Sequence, residues 1–176
     1  MGNREVGPDE APSYEMLHRA HYARVLQLCR LLLVDRQEAE DVTQEVFLRL
    51  FREYEAQSRP IAWGPWLTRV TVNACRDRRR SGWWRWWRDR DEAFQEAGYP
   101  SRDPTPEEWV SGREQRERIW HSFRGLSSRQ REVFVLRYAE EWSTEEIAKA
   151  LGLTAGSVKR HLFRAVRHVR KAVGDR

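Results

Sequence analysis

Apolar residues recur at helical spacing along most of the chain, and no stretch of any length alternates between apolar and polar as a half-buried strand would. Tyr14, Leu17, His21, Val25, Leu28 and Leu32 share one face of a helix expected from about Ser13 to Val34. Asp35, with Glu38 three residues on, forms a capping pattern. Behind it Ala39, Val42, Val46, Leu50 and Tyr54 mark a second helix to about Ala56. A turn, AQSRPIAWG, follows. Pro65 suits the first turn of a third helix, which runs to about Arg80 with Leu67, Val70 and Ala74 inward.

The helical pattern resumes after residue 112. One helix is expected over about 113–123 and another over about 128–139, opened by a capping box, Ser127-x-x-Gln130. The segment 142–171, WSTEEIAKALGLTAGSVKRHLFRAVRHVRK, then reads as two helices around a tight turn. Ser143 and Glu146 form a second capping box, and Trp142 and Ile147 stand where a hydrophobic staple would close. Gly152 stops the first helix of the pair, because glycine reaches positive φ without steric cost. Thr154 caps the second. There Val158, Leu162, Val166, Val169 and Val173 face inward, while Arg160, Arg164, Arg167 and Lys171 line the opposite side. A helix–turn–helix with cations on its free face suits a DNA major groove.

Between the two helical blocks the composition shifts. Residues 81–112 hold SGWWRWWRDRDEAFQEAGYPSRDPTPEEW, with Pro100, Pro104 and Pro106 and more acids than bases. Such a stretch reads as a flexible linker. The fold class is therefore all-α: two small helical domains, 13–80 and 113–174, joined by a linker over 81–112.

Charge adds a direction to this plan. The 176 residues carry a net charge of +5. Residues 113–176 hold 15 basic and eight acidic side chains, so the positive field gathers at the C-terminal end, where it attracts phosphate. No apolar run approaches the ~20 residues that span a bilayer, and the polar N-terminus is unlike a signal peptide. A cytoplasmic protein is expected, with Cys29 and Cys75 as plain core thiols. No nucleophile–base pair or phosphate-cradling glycine loop is evident, so neither an enzyme nor a small-molecule substrate or cofactor is implied. His18, His21 and Cys29 lack a second ligand pair, so no metal site is expected. The run Trp83-Trp84-Arg85-Trp86-Trp87-Arg88 fits packing on the first domain or a partner interface, with a membrane interface as the alternative.

Two further stripes carry chemistry. Asp41, Gln44, Glu45 and Leu48 fall at i, i+3, i+4 and i+7 on the second helix, away from its core positions. They form either a solvated face or a docking surface for a basic, amphipathic partner helix. Arg69, Asn73, Arg76 and Arg80 fall on one stripe of the third helix, with Asp77, Arg78 and Arg79 beside them. That stripe fits a solvated face or contact with phosphates and base edges.

The runs DRQEAEDVTQEVFLRLFR, WLTRVTVNACRDRRR and LSSRQREVFVLRYAEEWSTEEIAKALGLTAGSVKRHLFRA, in this order, resemble regions two and four of the sigma-70 family. The short length resembles the extracytoplasmic function group. The resemblance covers roughly residues 14–80 and 113–172. It implies a transcription initiation factor that binds core RNA polymerase, finds −10 and −35 promoter elements and helps to melt DNA. Asp41, Gln44, Glu45 and Phe47 match the family's D-x-x-Q-E-x-F motif. With Leu48 they would dock on the clamp coiled coil of the largest catalytic subunit. Asn73, Arg76, Asp77 and Arg80 would face the −10 element, and the loop with Gln57, Ser58 and Arg59 would hold an extruded base. Trp63 or Trp66 would stand for the family's duplex-wedging aromatics, or lie in the core.

On the recognition helix the resemblance assigns Ser157, Lys159, Arg160, Phe163 and Arg164 to the −35 element, with Arg137 and Thr144 on flanking phosphates. The family often has V-K-S-R-L where this chain has Val158-Lys159-Arg160-His161-Leu162, so an Arg replaces a small residue at a reading position. The resemblance also implies promoter DNA and an anti-sigma factor as partners, the latter often membrane-anchored and able to hold the protein at the inner membrane. The competing reading is a stand-alone regulator with a LuxR-type helix–turn–helix. That class would need a sensory domain in residues 1–110, where no βα alternation is seen.

Overall fold

The computed structural model describes residues 12–33, 35–56, 60–81 and 106–174. Seven helices are described: α1 (Tyr14–Leu32), α2 (Arg36–Ala56), α3 (Trp63–Ser81), α4 (Pro106–Arg124), α5 (Ser128–Tyr138), α6 (Thr144–Leu151) and α7 (Ala155–Val173). No strand occurs among the described residues.

Helices α1, α2 and α3 pack on one another in all three pairings. Their shared core holds Leu17, Val25, Leu28, Leu32, Val42, Val46, Leu50 and Leu67, each at the spacing that puts it on its helix's inner face. Threonines enter this core without stranding a hydroxyl. Thr43 Oγ1 donates to the Ala39 carbonyl and Thr71 Oγ1 to Leu67, both at 2.7 Å, so each buried oxygen is satisfied within its own helix. Cys29 and Cys75 are fully buried where α1 meets α3. Their mutual hydrogen bond holds the Cys29 thiol below its usual range, and together with burial it pushes Cys75 well above.

In the C-terminal group α7 packs against α4, α5 and α6. Val133, Leu136, Ile147, Val158 and Ala165 are fully buried there. The caps expected from sequence are formed. Ser127 and Gln130 close one capping box and Ser143 and Glu146 the other. Thr154 accepts from the Ser157 amide, and Gly152 ends α6 with φ 64°.

Two boundaries differ from the expectation. Helix α4 begins at Pro106, inside the stretch 81–112 read as linker. Proline at a first helical position forfeits no hydrogen bond, since its missing N–H would have no partner within the helix. Helix α3 begins at Trp63 instead of near Pro65, which places Pro65 within the first turn. The Trp83–Trp87 run and residues 82–105 of the linker lie outside the described residues.

Helix α5 also packs against α1, so the two groups touch. Glu140, just beyond α5, accepts hydrogen bonds from Arg24 on α1 and from Thr68 on α3, the latter at 2.6 Å. Glu132, in α5, accepts from Arg76 and Arg79 of α3. Thr68 and Arg76 are eight positions apart, as are Glu132 and Glu140, and the pairing is reversed, so α5 runs antiparallel to α3.

Candidate polymerase and nucleic-acid interfaces

On α2 the helical repeat turns Asp41, Gln44 and Leu48 outward, while Ala39, Val42, Thr43, Val46 and Leu50 fill the core. Leu48 is 59% exposed. Glu45 is half-buried and is ion-paired with Arg49 one turn on. These four side chains form an acidic face with an apolar contact at one end. Phe47 does not belong to it. It is only 4% exposed and packs against the rings of His18 and Tyr22 at 4.5 and 5.6 Å. The resemblance had made it a polymerase contact; its position one residue before Leu48 on a helix turns it toward α1 instead.

On α3, Asn73, Asp77 and Arg80 are exposed, as is Arg69. The last turn carries Arg78, Arg79 and Arg80, which the dipole at a helix C-terminus favours. Arg76, expected on the same DNA-facing stripe, is turned aside. Its guanidinium is half-buried, and its Nη2 donates to Glu132 of α5 at 3.0 Å. Arg79 makes a similar reach, donating to the Leu32 carbonyl at 3.1 Å and to the same carboxylate. Trp63 is buried and meets Trp66 edge to face at 5.6 Å, so of the two candidate wedge aromatics Trp63 is core and Trp66 half-buried. Ser58 and Arg59, with Gln57, lie outside the described residues.

On α7, Lys159, Arg160, Phe163, Arg164 and Arg167 are exposed along one side. Phe163 is 66% exposed, a large apolar surface amid cations. Ser157 and Thr154 share a hydroxyl–hydroxyl bond at 3.0 Å at the helix start. Arg137 is exposed at the end of α5 and donates to the Trp142 carbonyl at 3.0 Å, and Thr144, the first residue of α6, is half-buried. His161 points back toward the body. Burial first, then Arg129, Arg164 and Arg160, hold its pKa below the usual value, so it adds no charge to the basic face near neutral pH.

The sequence pattern did not reveal the buried ionic residues of α5. Glu132 is 2% exposed, and besides Arg76 and Arg79 it accepts from Arg129 of its own helix at 2.8 Å. Arg131 is buried beside it and donates to the carbonyls of Arg124 and Leu126. Burial first, then repulsion by Arg79 and Arg124, pulls Arg131 down to about 10. The signal was an Arg-Glu pair set immediately before the apolar run Val133-Phe134-Val135-Leu136, at a position that a packed helix buries. Among the described residues no three His, Cys, Asp or Glu side chains gather as a metal site would require.

The chain matches two family models, sigma-70 region 2 over residues 17–85 and sigma-70 region 4 over residues 116–169. Similar proteins include the ECF RNA polymerase sigma factor SigL of Mycobacterium tuberculosis, 34% identical over 164 residues spanning 92% of this chain and 89% of that protein. The RNA polymerase sigma-E factor of Streptomyces avermitilis is 29% identical over 167 residues, 95% of this chain and 88% of the relative. Among solved structures, the sigma factor RpoE in complex with the anti-sigma factor NepR from Bartonella quintana superposes with a TM-score of 0.68 at 20% identity. The match covers 94% of this chain and all of that one. CnrH in complex with the cytosolic domain of CnrY gives 0.56 at 22% identity, over 89% of this chain and 84% of that one.

Proposed function

The chain belongs to the sigma-70 family of RNA polymerase sigma factors, in its extracytoplasmic function group, and from that premise we propose how its surfaces divide the work. The protein is a transcription initiation factor and not an enzyme; it binds core RNA polymerase and promoter DNA. The stand-alone LuxR-type regulator finds no support in the comparisons.

The region spanning residues 13–80 grips polymerase and the −10 element, and the region spanning 113–174 grips the −35 element. Asp41, Gln44, Glu45 and Leu48 dock on the clamp coiled coil of the largest catalytic subunit. An acidic rim beside an exposed leucine complements a basic, amphipathic helix. Asn73, Asp77 and Arg80 meet the −10 element, with Ser58 and Arg59 on the loop before α3. Lys159, Arg160, Phe163 and Arg164, flanked by Ser157, Arg137 and Thr144, meet the −35 element. Phe163 packs on a thymine methyl, and the cations reach guanine edges or phosphates.

An anti-sigma factor is the expected regulatory partner, since a similar structure, that of RpoE, was solved with the anti-sigma factor NepR bound. Work on promoters places the protein in the cytoplasm, or at the inner membrane when a membrane-anchored anti-sigma factor holds it. Among the described residues no helix is long and apolar enough to cross a membrane.

The observation that carries this reading is the outward basic side of α7, capped by Thr154 and bearing Phe163, in one chain with the acidic face of α2. Run-off transcription with purified core polymerase tests it. The chain should co-purify with core and confer initiation on it; a regulator of the stand-alone kind would leave core enzyme silent.

A further inference from the structure

Asp77 carries the wrong sign of charge for the stripe on which it sits. From 76 to 80 the chain reads Arg-Asp-Arg-Arg-Arg, and Asp77 is exposed between Asn73, one turn before it, and Arg80, three residues after. The fold makes no use of its carboxylate. Among the described residues Asp77 has no ion pair and no hydrogen bond, because the neighbouring cations turn elsewhere. Arg76 and Arg79 meet Glu132, and Arg78 leans toward Asp41 and Glu45. Aspartate is a poor helix former, and just before the last turn of α3 an acid opposes the helix dipole. Facing DNA, a free carboxylate also adds repulsion from every phosphate. Helix propensity, dipole and long-range charge all disfavour this residue, so a specific contact is needed to account for it.

An ionised carboxylate only accepts hydrogen bonds, which leaves few groups in duplex DNA for it to meet. Phosphates, guanine N7 and O6, and thymine O4 are acceptors themselves. The amino donors of the major groove are cytosine N4 and adenine N6, and adenine sets its N7 acceptor beside the donor. Cytosine offers its donor without that neighbour.

We propose that Asp77 is a specificity-determining residue of the −10 interface, accepting a hydrogen bond from the N4 amino group of a cytosine in duplex DNA. The proposal rests on the assignment of α3 to the −10 element and adds the base that this position reads. Asp77 lies on the helix, away from the loop of Ser58 and Arg59 assigned to an extruded base, so its target stays stacked and shows its major-groove edge. The four-residue step from Asn73 to Asp77 rises about 6 Å along α3, and stacked bases lie about 3.4 Å apart. The cytosine therefore falls within about two base pairs of the base that Asn73 meets. Arg80, unpaired with Asp77, grips a flanking phosphate and holds the carboxylate against the base edge without neutralising it.

The test measures binding of reconstituted holoenzyme to a promoter library with all four base pairs at each −10 position. The unaltered chain should prefer cytosine about tenfold at one position. Asp77→Ala should abolish that preference and leave the other positions as they were. Asp77→Asn should move it to adenine, whose N6 and N7 an amide meets together. Neither variant disturbs packing, since the side chain is exposed, and the thermal midpoint of each should match the unaltered chain or exceed it. A cytosine preference that survives Asp77→Ala would overturn the proposal. So would a uniform gain in affinity over all sequences, which would make Asp77 a source of repulsion only. Two further variants separate this proposal from the assignment beneath it. If Asn73→Ala and Arg80→Ala weaken −10 binding while Asp77→Ala changes nothing, the proposal fails and the assignment of α3 stands. If all three are silent, the assignment itself falls.

Discussion

Arg78 of α3 lies 3.7 Å from the carboxylate of Asp41 on α2, and its other terminal nitrogen lies 3.9 Å from Glu45. The basic end of α3, the helix proposed to meet the −10 element, therefore leans over the acidic face proposed for polymerase. At these distances, with Asp41 exposed, the pairs contribute little to stability. They leave the carboxylates available to a partner that brings a better-placed cation.

Asp41→Ala with Gln44→Ala should weaken core-polymerase affinity by about tenfold, ~1.4 kcal/mol, while the thermal midpoint stays where it was. Both side chains are exposed, and the core beneath them is untouched. Titration of labelled core enzyme measures the first, and a melting curve the second. Unchanged affinity would assign polymerase to another face.

Phe47 and Leu48 are neighbours in sequence with opposite environments. Phe47→Ala empties a packed site against His18 and Tyr22 and should cost about 3–5 kcal/mol of stability. Leu48→Ala should leave stability within about 0.5 kcal/mol and weaken polymerase binding. Denaturant titration of both variants, beside their core affinities, separates core from contact.

The contrast between these two residues shows what the sequence could yield. Periodicity placed α1, α2, α3, α6 and α7, whose apolar residues recur at helical spacing, and the cap residues marked where α5, α6 and α7 begin. A spacing argument cannot say how deep a borderline position sits: the motif leaves Phe47 between contact and core, and the ring of His18 at 4.5 Å puts it in the core. It cannot see contacts between distant helices either. Arg76 sits on the same stripe as Asn73 and Arg80, yet it is spent on Glu132, a residue 56 positions away. Nothing local to either residue encodes that pairing. The start of α4 at Pro106 was hidden because three prolines within seven residues outweighed the helix-start signal of the last one.

Arg160 should read a base. Arg160→Ala is expected to change preference at one position of the −35 element by about 1–3 kcal/mol and leave the other positions alone. Selection of promoter variants with the reconstituted holoenzyme measures this. A uniform loss over all sequences would make Arg160 a phosphate contact.

Gly152 ends α6 with φ 64°, and a Cβ built there would meet nothing within 4 Å. The cost of a side chain is thus backbone strain alone. Gly152→Ala should destabilise the helix–turn–helix by about 1–2 kcal/mol, and Gly152→Asn by less, since asparagine enters the left-handed region more readily. Equal losses for both would imply a steric clash that the geometry does not contain.

The cap between α5 and α6 makes stability depend on pH. The Ser143 amide and hydroxyl both donate to Glu146 at 2.8 Å, and these bonds hold the Glu146 carboxyl below its ordinary value of 4.5. A depressed folded-state pKa means that the unfolded chain binds the proton more readily, so stability rises with pH across that interval. The cap's contribution is complete above about pH 4.5 and is lost as pH falls through the lower, folded value. Glu146→Gln should flatten this part of the stability profile, because the amide can still accept from Ser143 but no longer titrates. Ser143→Ala should flatten it only in part, because the backbone amide at 143 still donates to Glu146, and should also lower the midpoint at pH 7, since the Glu146 amide loses the side-chain acceptor it finds at 3.2 Å. Melting curves from pH 3 to 7, about the range in which carboxylates titrate, distinguish the three chains. A slope that survives Glu146→Gln would show that this cap is not the source of the acid sensitivity.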